Sequence, residues 1–265
     1  MTIRMKTLVL AGVIGLGVVS TVLAADQAPK LKGYLSAAQV PVGQAYVPPP
    51  PAADSPRMTA DRQVFEATQA LKDSPRWTVA QGDADIGPAR AARLYDCALG
   101  ARLGENQPPA VTRLLTRMYE DVSVSYNAAK DFYKRPRPIA GDNASPICVP
   151  RDEHLAKSFS YPSGHSSISW AWTLAMAEME PDKAAEIMRR GAAIGDSRVV
   201  CGVHWVSDVE AGRRVGAAVF AAEQNSAEFQ ADLKAAKAEI DQRRASGQTD
   251  PVCTAEGDAL KNPAF

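Results

Sequence analysis

Three short stretches carry residue types that could grip an anion and transfer a group. Lys130 and Arg137 lie seven residues apart. Seven steps of about 100° return to within about 20° of the starting direction, so on a continuing helix both cations share a face. Pro138 follows Arg137 and disfavours helical backbone there, which leaves the guanidinium at the end of the element. Alone, such a pair reads as a solvated helix end complementing the dipole. The run Ser160-Tyr161-Pro162-Ser163-Gly164-His165-Ser166-Ser167 precedes an apolar helical pattern. Backbone N–H groups at a helix entrance have no intrahelical partner and bind anions. Gly164 would let an anion come close, and His165 in the first turn could reach it; the plainer reading is a Pro-Ser-Gly turn with an incidental histidine. In the third stretch, Ser197 to Asp208, His204 and Asp208 are four apart and would be neighbours on a helix. A carboxylate there can accept the imidazole Nδ1–H and leave Nε2 unprotonated, as a nucleophile or a base. Gly202 would bend the chain and bring Arg198 round to the same place, although a His/Asp pair at this spacing alone is more often a surface contact.

Read together, the stretches spell Lys-x6-Arg-Pro, Pro-Ser-Gly-His and Ser-Arg-x5-His-x3-Asp, and they hold two of the chain's 3 histidines. The set resembles the three-part signature of the type-2 phosphatidic acid phosphatase and vanadium haloperoxidase superfamily. With its Pro-rich arm and its Ser-Tyr-Pro-Ser-Gly-His run, the chain is similar to the bacterial class A non-specific acid phosphatases over roughly residues 46–237. The resemblance implies an all-α, single-domain helical bundle of the acid phosphatase/vanadium haloperoxidase type. It also implies that Lys130, Arg137 and Arg198 bind phosphoryl oxygens with the Ser163 hydroxyl and the Gly164 N–H, and that His204 attacks phosphorus to form a phosphohistidine. Asp208 would orient His204, and His165 would protonate the leaving alcohol and then activate water. No cofactor and no metal are expected, because three cationic side chains can neutralise the equatorial oxygens. The chain departs from the family pattern with Phe159 in place of glycine and Ser166 in place of threonine; Phe159 is expected to restrict the pocket entrance.

Helices must position these groups. Apolar residues at three- and four-residue intervals predict helices near 58–72, 86–103, 109–133, 166–179, 182–196, 207–224 and 226–244, while β-branched alternation is nearly absent. Pro109 and Pro181 fit helix starts and Asp182 a helix N-cap. The segments with Trp170 and Trp172, and with Val215, Val219 and Phe220, should form the buried centre. In the last helix Phe229, Leu233, Ala236 and Ile240 make a stripe, with Lys234, Lys237, Glu239, Arg243 and Arg244 facing outward. The expected organisation is a signal peptide at 1–24, a Pro-rich arm at 25–56 laid over the domain or loosely attached, a helical phosphatase domain at 57–244, and a tail at 245–265 pinned by Cys253. His154 reads as an exposed loop residue.

Arg4 and Lys6 precede an apolar run from Leu8 to Leu23, which predicts a secretory signal cleaved after Ala24 and hence a periplasmic or secreted protein. The alternative is an uncleaved anchor, though the run is short for a span of about 20 residues. With 46% apolar and 23% charged residues the composition is globular, and 30 basic against 30 acidic residues give no bulk attraction to nucleic acid or anionic lipid. The expected partners are therefore small phosphate monoesters such as nucleotides, sugar phosphates or aryl phosphates, with no nucleic acid polymer and no membrane after signal cleavage; a homodimer stays open. Cys97, Cys148, Cys201 and Cys253 would meet an oxidising compartment and form two disulfides, in any of three pairings as far as the residues themselves tell, or stay as buried thiols. The resemblance implies Cys148–Cys201, and with it Cys97–Cys253. Two other functions use the same residues: a vanadate-dependent haloperoxidase with His204 on vanadium, and a non-catalytic phosphate-binding helical protein.

Overall fold

Prolines and small hydroxyl side chains set where the chain turns into helix. The computed structural model describes residues 31–265 apart from 105 and 107, and leaves the side chains of 88, 89 and 154 undescribed; the expected signal peptide lies outside the described residues. Pro56 opens α1 (Pro56–Thr68), where the Ser55 hydroxyl accepts the Met58 N–H, and Pro75 opens α2 (Pro75–Gly82), where Ser74 does the same for Trp77. Then come α3 (Pro88–Ala91), α4 (Asp96–Leu99), α5 (Pro109–Tyr133), α6 (Glu153–Lys157), α7 (Gly164–Met179), α8 (Ala184–Val200), α9 (Val206–Glu223), α10 (Ala227–Ala245) and α11 (Cys253–Ala259). Among the described residues there is no strand, and Leu31–Phe265 form one unit. No helix among them is long and apolar enough to cross a membrane.

The long predicted helices are present, and the short ones differ. The stretch expected as one helix at 86–103 is broken into α3, a 3-10 turn at Ala92–Tyr95, and α4, which ends at Gly100 with φ 65°. Two contacts outweigh its helical periodicity: the buried Tyr95 hydroxyl donates to the Ser169 carbonyl at 2.8 Å, and the Asp96 carboxylate turns back to accept the Leu103 N–H at 2.8 Å. Asp182 is not an N-cap; it lies in the 3-10 turn Pro181–Lys183 and pairs with Arg244 at 2.5 Å. Glu239 does not simply face outward either. Its carboxylate accepts the N–H groups of Ala110 and Val111 at 2.8 and 3.0 Å, satisfying the first turn of α5. His154 sits in α6 rather than in a loop, its side chain among those not described.

α7 is the centre of the bundle, packed on α9, α8 and α5, with α10 on the far side of α5. Trp172 is fully buried and donates its indole N–H to the Leu115 carbonyl, whereas Trp170 is half-buried under Arg213. Glycines let α9 approach: a Cβ at Gly216 would lie 2.3 Å from the Ser167 carbonyl oxygen, and one at Gly212 would lie 2.6 Å from that of Ser163. The first turns of α7 and α9 are thereby clamped together, and the Ser163 N–H donates to the Asp208 carbonyl at 2.9 Å. α2 is held on α8 by a buried network in which Arg190 and Ser197 meet Asp83, and Arg76 donates to Ser197 at 2.9 Å. Disulfides join Cys97 to Cys253, tying α11 to α4, and Cys148 to Cys201, tying the loop after α5 to the end of α8.

The segment before α1 runs along α5. Asp121 of α5 accepts the N–H groups of Tyr34 and Leu35, Val40 and Val47 are buried, and the Tyr161 hydroxyl donates to the Pro48 carbonyl at 2.6 Å. Beside Asp121, Glu223 of α9 is fully buried, and burial together with the Asp121 carboxylate holds its carboxyl well above the usual range. A raised folded pKa contributes stability that is complete below the unfolded value of about 4.3 and is lost as pH rises toward the folded value. Glu223→Gln, always neutral, is therefore expected to raise the melting temperature at pH 8 by about 2–4 °C per kcal/mol of relieved ionisation. The gain should vanish near pH 4, and calorimetry at the two pH values checks it; an equal change at both would contradict the assignment.

Candidate functional site

The sequence motifs converge because four helix ends meet, the last turns of α5 and α8 and the first turns of α7 and α9. Lys130 lies in the last turn of α5, buried, and its ammonium donates to the Phe159 carbonyl. It does not share a helix face with Arg137. α5 stops at Tyr133, Lys134 turns left-handed at φ 49°, and Pro136 and Pro138 keep the following backbone extended, so the chain doubles back. Arg137 thereby reaches in beside Lys130. Its guanidinium donates to the carbonyls of Ser158 at 3.1 Å and Val203 at 2.8 Å and to the Ser158 hydroxyl at 2.8 Å.

Arg198 comes from the last turn of α8 and is buried, with its Nε unpartnered among the described residues. Gly202, at φ 71°, makes the bend expected of it, and a Cβ there would lie 3.0 Å from the Pro146 carbonyl. After that bend comes His204, which precedes α9 instead of lying on it. Asp208 is in the first turn of α9, where its Oδ2 accepts the Trp205 N–H at 2.8 Å, a bond from the Ser160 hydroxyl, and His204 Nδ1 at 3.2 Å. One carboxylate thus caps the helix and fixes the imidazole.

These groups surround a cavity of about 570 Å³. Lys130, Arg137, Gly164, His165, Arg198 and His204 line it together with apolar and aromatic residues such as Ile86, Tyr119, Tyr126, Leu155 and Ile168 and the carboxylates Asp85 and Asp152. Two of the sequence-selected residues stand behind this surface. Asp208 is fully buried, and the Ser163 hydroxyl caps α7, accepting the Ser166 N–H at 3.3 Å and the Ser166 hydroxyl at 3.0 Å. Phe159 does not narrow this entrance; it lines a neighbouring cavity of about 430 Å³ on the other side of Ser158. Gly164 is against the Tyr126 ring, where a Cβ would come within 2.9 Å, so only glycine lets the ring pack on the start of α7. Sequence reasoning missed Arg135 and Asp61. Arg135 donates to Asp208 Oδ1 at 2.6 Å and to Asp61 Oδ2 at 3.0 Å. The local signal was a second Arg-Pro directly before Arg137-Pro138, while nothing in the sequence links it to Asp61.

The hydrogen bonds assign the His204 tautomer. Arg137 Nη1 lies 3.0 Å from His204 Nε2, and a guanidinium can only donate, so Nε2 carries the lone pair and Nδ1 carries the proton given to Asp208. Burial, then Arg137, Lys130 and Arg198, push the His204 pKa well below its usual value, and His165 is pushed the same way by burial and Arg198. His165 Nε2 lies 3.0 Å from the Ala84 carbonyl, which can only accept, so its proton is on Nε2. Burial brings Lys130 down to about 7, with Arg137 adding to the effect, and brings Arg137 and Arg198 each down to about 10. The cavity therefore offers neutral imidazoles among cations, an arrangement suited to a tetrahedral oxyanion whose central atom is attacked by nitrogen.

Comparison with known proteins gives a consistent family. A family model described as the PAP2 superfamily matches residues 113–228, which include every residue from Lys130 to Asp208 in the three motifs. An acid phosphatase of Zymomonas mobilis is 40% identical over 217 residues, covering 81% of this chain and 82% of its own. Non-specific acid phosphatases of Salmonella typhi and Providencia stuartii are 39% and 36% identical over 202 and 208 residues, covering 76% and 78% of this chain and 80% and 84% of theirs.

Any anion binding in the cavity is expected to depend on pH with a sign set by Lys130. The ammonium is charged below its lowered pKa of about 7 and neutral above it. Sulfate, a dianion throughout the neutral range, should bind more weakly as pH rises through this region. By titration calorimetry the loss should reach about tenfold, the worth of one charged hydrogen bond. In Lys130→Met the affinity should be lower and flat across the same range; a slope retained in that variant would remove Lys130 as its source.

Proposed function

Since the chain belongs to the PAP2 superfamily, as a relative of bacterial non-specific acid phosphatases, we propose that it hydrolyses phosphate monoesters through a phosphohistidine on His204. The observation that carries this reading is the position of His204 Nε2, unprotonated and at the cavity wall, with Asp208 holding Nδ1. In the first step the Nε2 lone pair forms the N–P bond as the P–O bond to the leaving group breaks, and His165 delivers a proton to the departing oxygen. In the second, His165 takes a proton from water, the hydroxide forms the new P–O bond, and the N–P bond breaks to release inorganic phosphate. Lys130, Arg137 and Arg198 and the Gly164 N–H hold the non-bridging oxygens throughout. Ser163 contributes through the cap that orients the start of α7.

A bound phosphate dianion would offset the cations that depress both imidazoles. His165 then regains its basicity when substrate is present and can hold the proton the leaving group needs. The rest of the lining is mostly aromatic and aliphatic, with Gln81, Asn127 and Ser158 as neutral polar members and Asp85 and Asp152 as carboxylates, a mixed wall that supports broad acceptance of leaving groups. The three cations supply the charge a metal would otherwise provide, and among the described residues no group of three or more His, Cys, Asp or Glu is placed to hold one. The leader-like N-terminus and two disulfides support a periplasmic or secreted location.

With an aryl phosphate, His204→Ala should form no phosphoenzyme. His165→Ala should form one and turn it over about 10²–10⁴ times more slowly than the parent chain. Acid-labile phosphate trapped on His204→Ala but not on His165→Ala would reverse the two roles. Dialysis against EDTA should leave the rate intact, and a loss restored by magnesium or zinc would contradict the metal-free chemistry.

A further inference from the structure

Behind the His204–Asp208 pair the buried charge continues. Arg135 Nη1 meets Asp208 Oδ1 at 2.6 Å and the Ser207 hydroxyl at 2.7 Å, and Nη2 meets Asp61 Oδ2 at 3.0 Å. Asp61, from α1, also accepts the Ser207 N–H at 3.1 Å and the Ser207 hydroxyl. Relative exposures of 7% for Arg135, 1% for Asp61 and 0% for Asp208 place the whole chain of charges away from water. The guanidinium is further boxed in by the rings of Trp205 and Tyr161, 5.5 and 5.9 Å from their centroids. A fork with two donor edges can bridge two carboxylates in this way, whereas an ammonium would have to choose.

We infer that Arg135, held by Asp61, is a positioning residue that keeps Asp208 ionised and its Oδ2 aimed at His204 Nδ1. A carboxylate sealed from water takes up a proton unless a cation is beside it. Burial indeed pushes the Asp208 carboxyl upward, and Arg135 is the foremost contact pulling it back. The other charged or titratable groups facing Asp208 are Lys130 and Arg137 from the α5 side, His204 from the segment before α9, and Tyr161 before α7, with Asp61 across Arg135. Lys130 and Arg137 line the cavity and turn to an anion once one is bound. Arg135 does not line it, so its charge stays on Asp208 throughout. The two oxygens of Asp208 are thus divided, Oδ1 to Arg135 and Oδ2 to His204, Trp205 and Ser160. A neutral Asp208 would accept the Nδ1–H weakly and leave Nε2 a poorer nucleophile.

The kinetic consequence rests on the phosphohistidine reading, and the titration does not. In the full chain labelled with ¹⁵N-histidine, 3 histidines give an assignable spectrum, and the hydrogen-bonded Nδ1–H of His204 reports the charge on Asp208 as pH is lowered. Arg135→Met should raise the midpoint of that transition by about 1–3 pH units, and Arg135→Lys, whose ammonium keeps the charge but not the two-edged fork, should restore only part of the difference. Asp61→Asn should move it the opposite way, because the guanidinium then serves Asp208 alone. General damage to the fold would not produce shifts of opposite sign. An unmoved midpoint in Arg135→Met, or an upward one in Asp61→Asn, would overturn the inference. Should Arg135→Met not fold, Asp61→Asn decides: a downward shift supports the role, and any other result overturns it. On an aryl phosphate, kcat of Arg135→Met should fall about a hundredfold, with sulfate affinity within about threefold of the parent. A parent chain inactive on aryl phosphate would refute the phosphatase reading and leave the titration result standing.

Discussion

Three cations drawn in from bulk water, two buried and one half-buried, face one cavity, and most of the surrounding structure is arranged around the cost of keeping them there. Lys130 and Arg198 are buried and Arg137 is half-buried, and among the described residues none of them has a carboxylate as a direct hydrogen-bond partner. Lys130 and Arg137 are held chiefly by the carbonyls of Phe159, Ser158 and Val203. Carbonyl dipoles orient a cation without cancelling its charge, so the field in the cavity remains available to an incoming anion. A salt bridge in the same place would be more comfortable for the empty protein and would compete with the ligand. Of the carboxylates nearby, Asp208 is committed to Arg135 and His204, Asp83 to Arg190 and Ser197, and Asp85 to Arg90, while Asp152, which also lines the cavity, accepts the Leu155 N–H.

Holding like charges together requires a frame that does not yield. The cations come from the ends of α5 and α8 and from the loop after α5, while the histidines sit at the starts of α7 and α9. Gly212 and Gly216 bring α9 against α7 so closely that a single methyl group at either place would collide with backbone. The Cys148–Cys201 bridge joins the loop after Arg137 to the segment between Arg198 and His204. Even the segment before α1 takes part, since Tyr161 of the Pro-Ser-Gly-His stretch is anchored on the Pro48 carbonyl. The side chains proposed to do chemistry are thus mounted at or beside helix termini whose spacing is fixed by packing rather than by their own contacts.

The sequence disclosed the chemistry more readily than the geometry. Anion binding and nitrogen nucleophiles require particular side chains, so Lys130, Arg137, Arg198, His165 and His204 were legible as types, and the structure brings all five to one cavity. How they arrive was not legible. A seven-residue spacing suggested one helix face for Lys130 and Arg137, yet a left-handed Lys134 and two prolines carry the second inward. A four-residue spacing suggested that His204 and Asp208 share a helix, yet α9 begins at Val206 and Asp208 reaches back as its cap. Asp61 contributes through contacts 74 and 146 residues away in the chain, a separation over which local pattern carries no information. For the same reason the long helices were readable from periodicity, whereas α2, α6 and α11, each of eight residues or fewer, were not.

The burial that lowers the histidines also gives the proposed mechanism its order of events. In the empty cavity both imidazoles are neutral, because desolvation and the adjacent cations act in the same direction. His204 benefits from this, since protonation at Nε2 would remove the attacking lone pair. His165 does not, since an acid catalyst must hold a proton. In the proposed mechanism a bound dianion offsets the cations at both rings at once, and with the His204 Nε2 lone pair aimed at phosphorus, His165 is the ring left to take up the proton. The proton is directed to His165, where the leaving oxygen needs it. Substrate charge therefore completes the acid–base pair that the protein leaves unfinished, and a ligand with too little negative charge would fill the cavity without arming it.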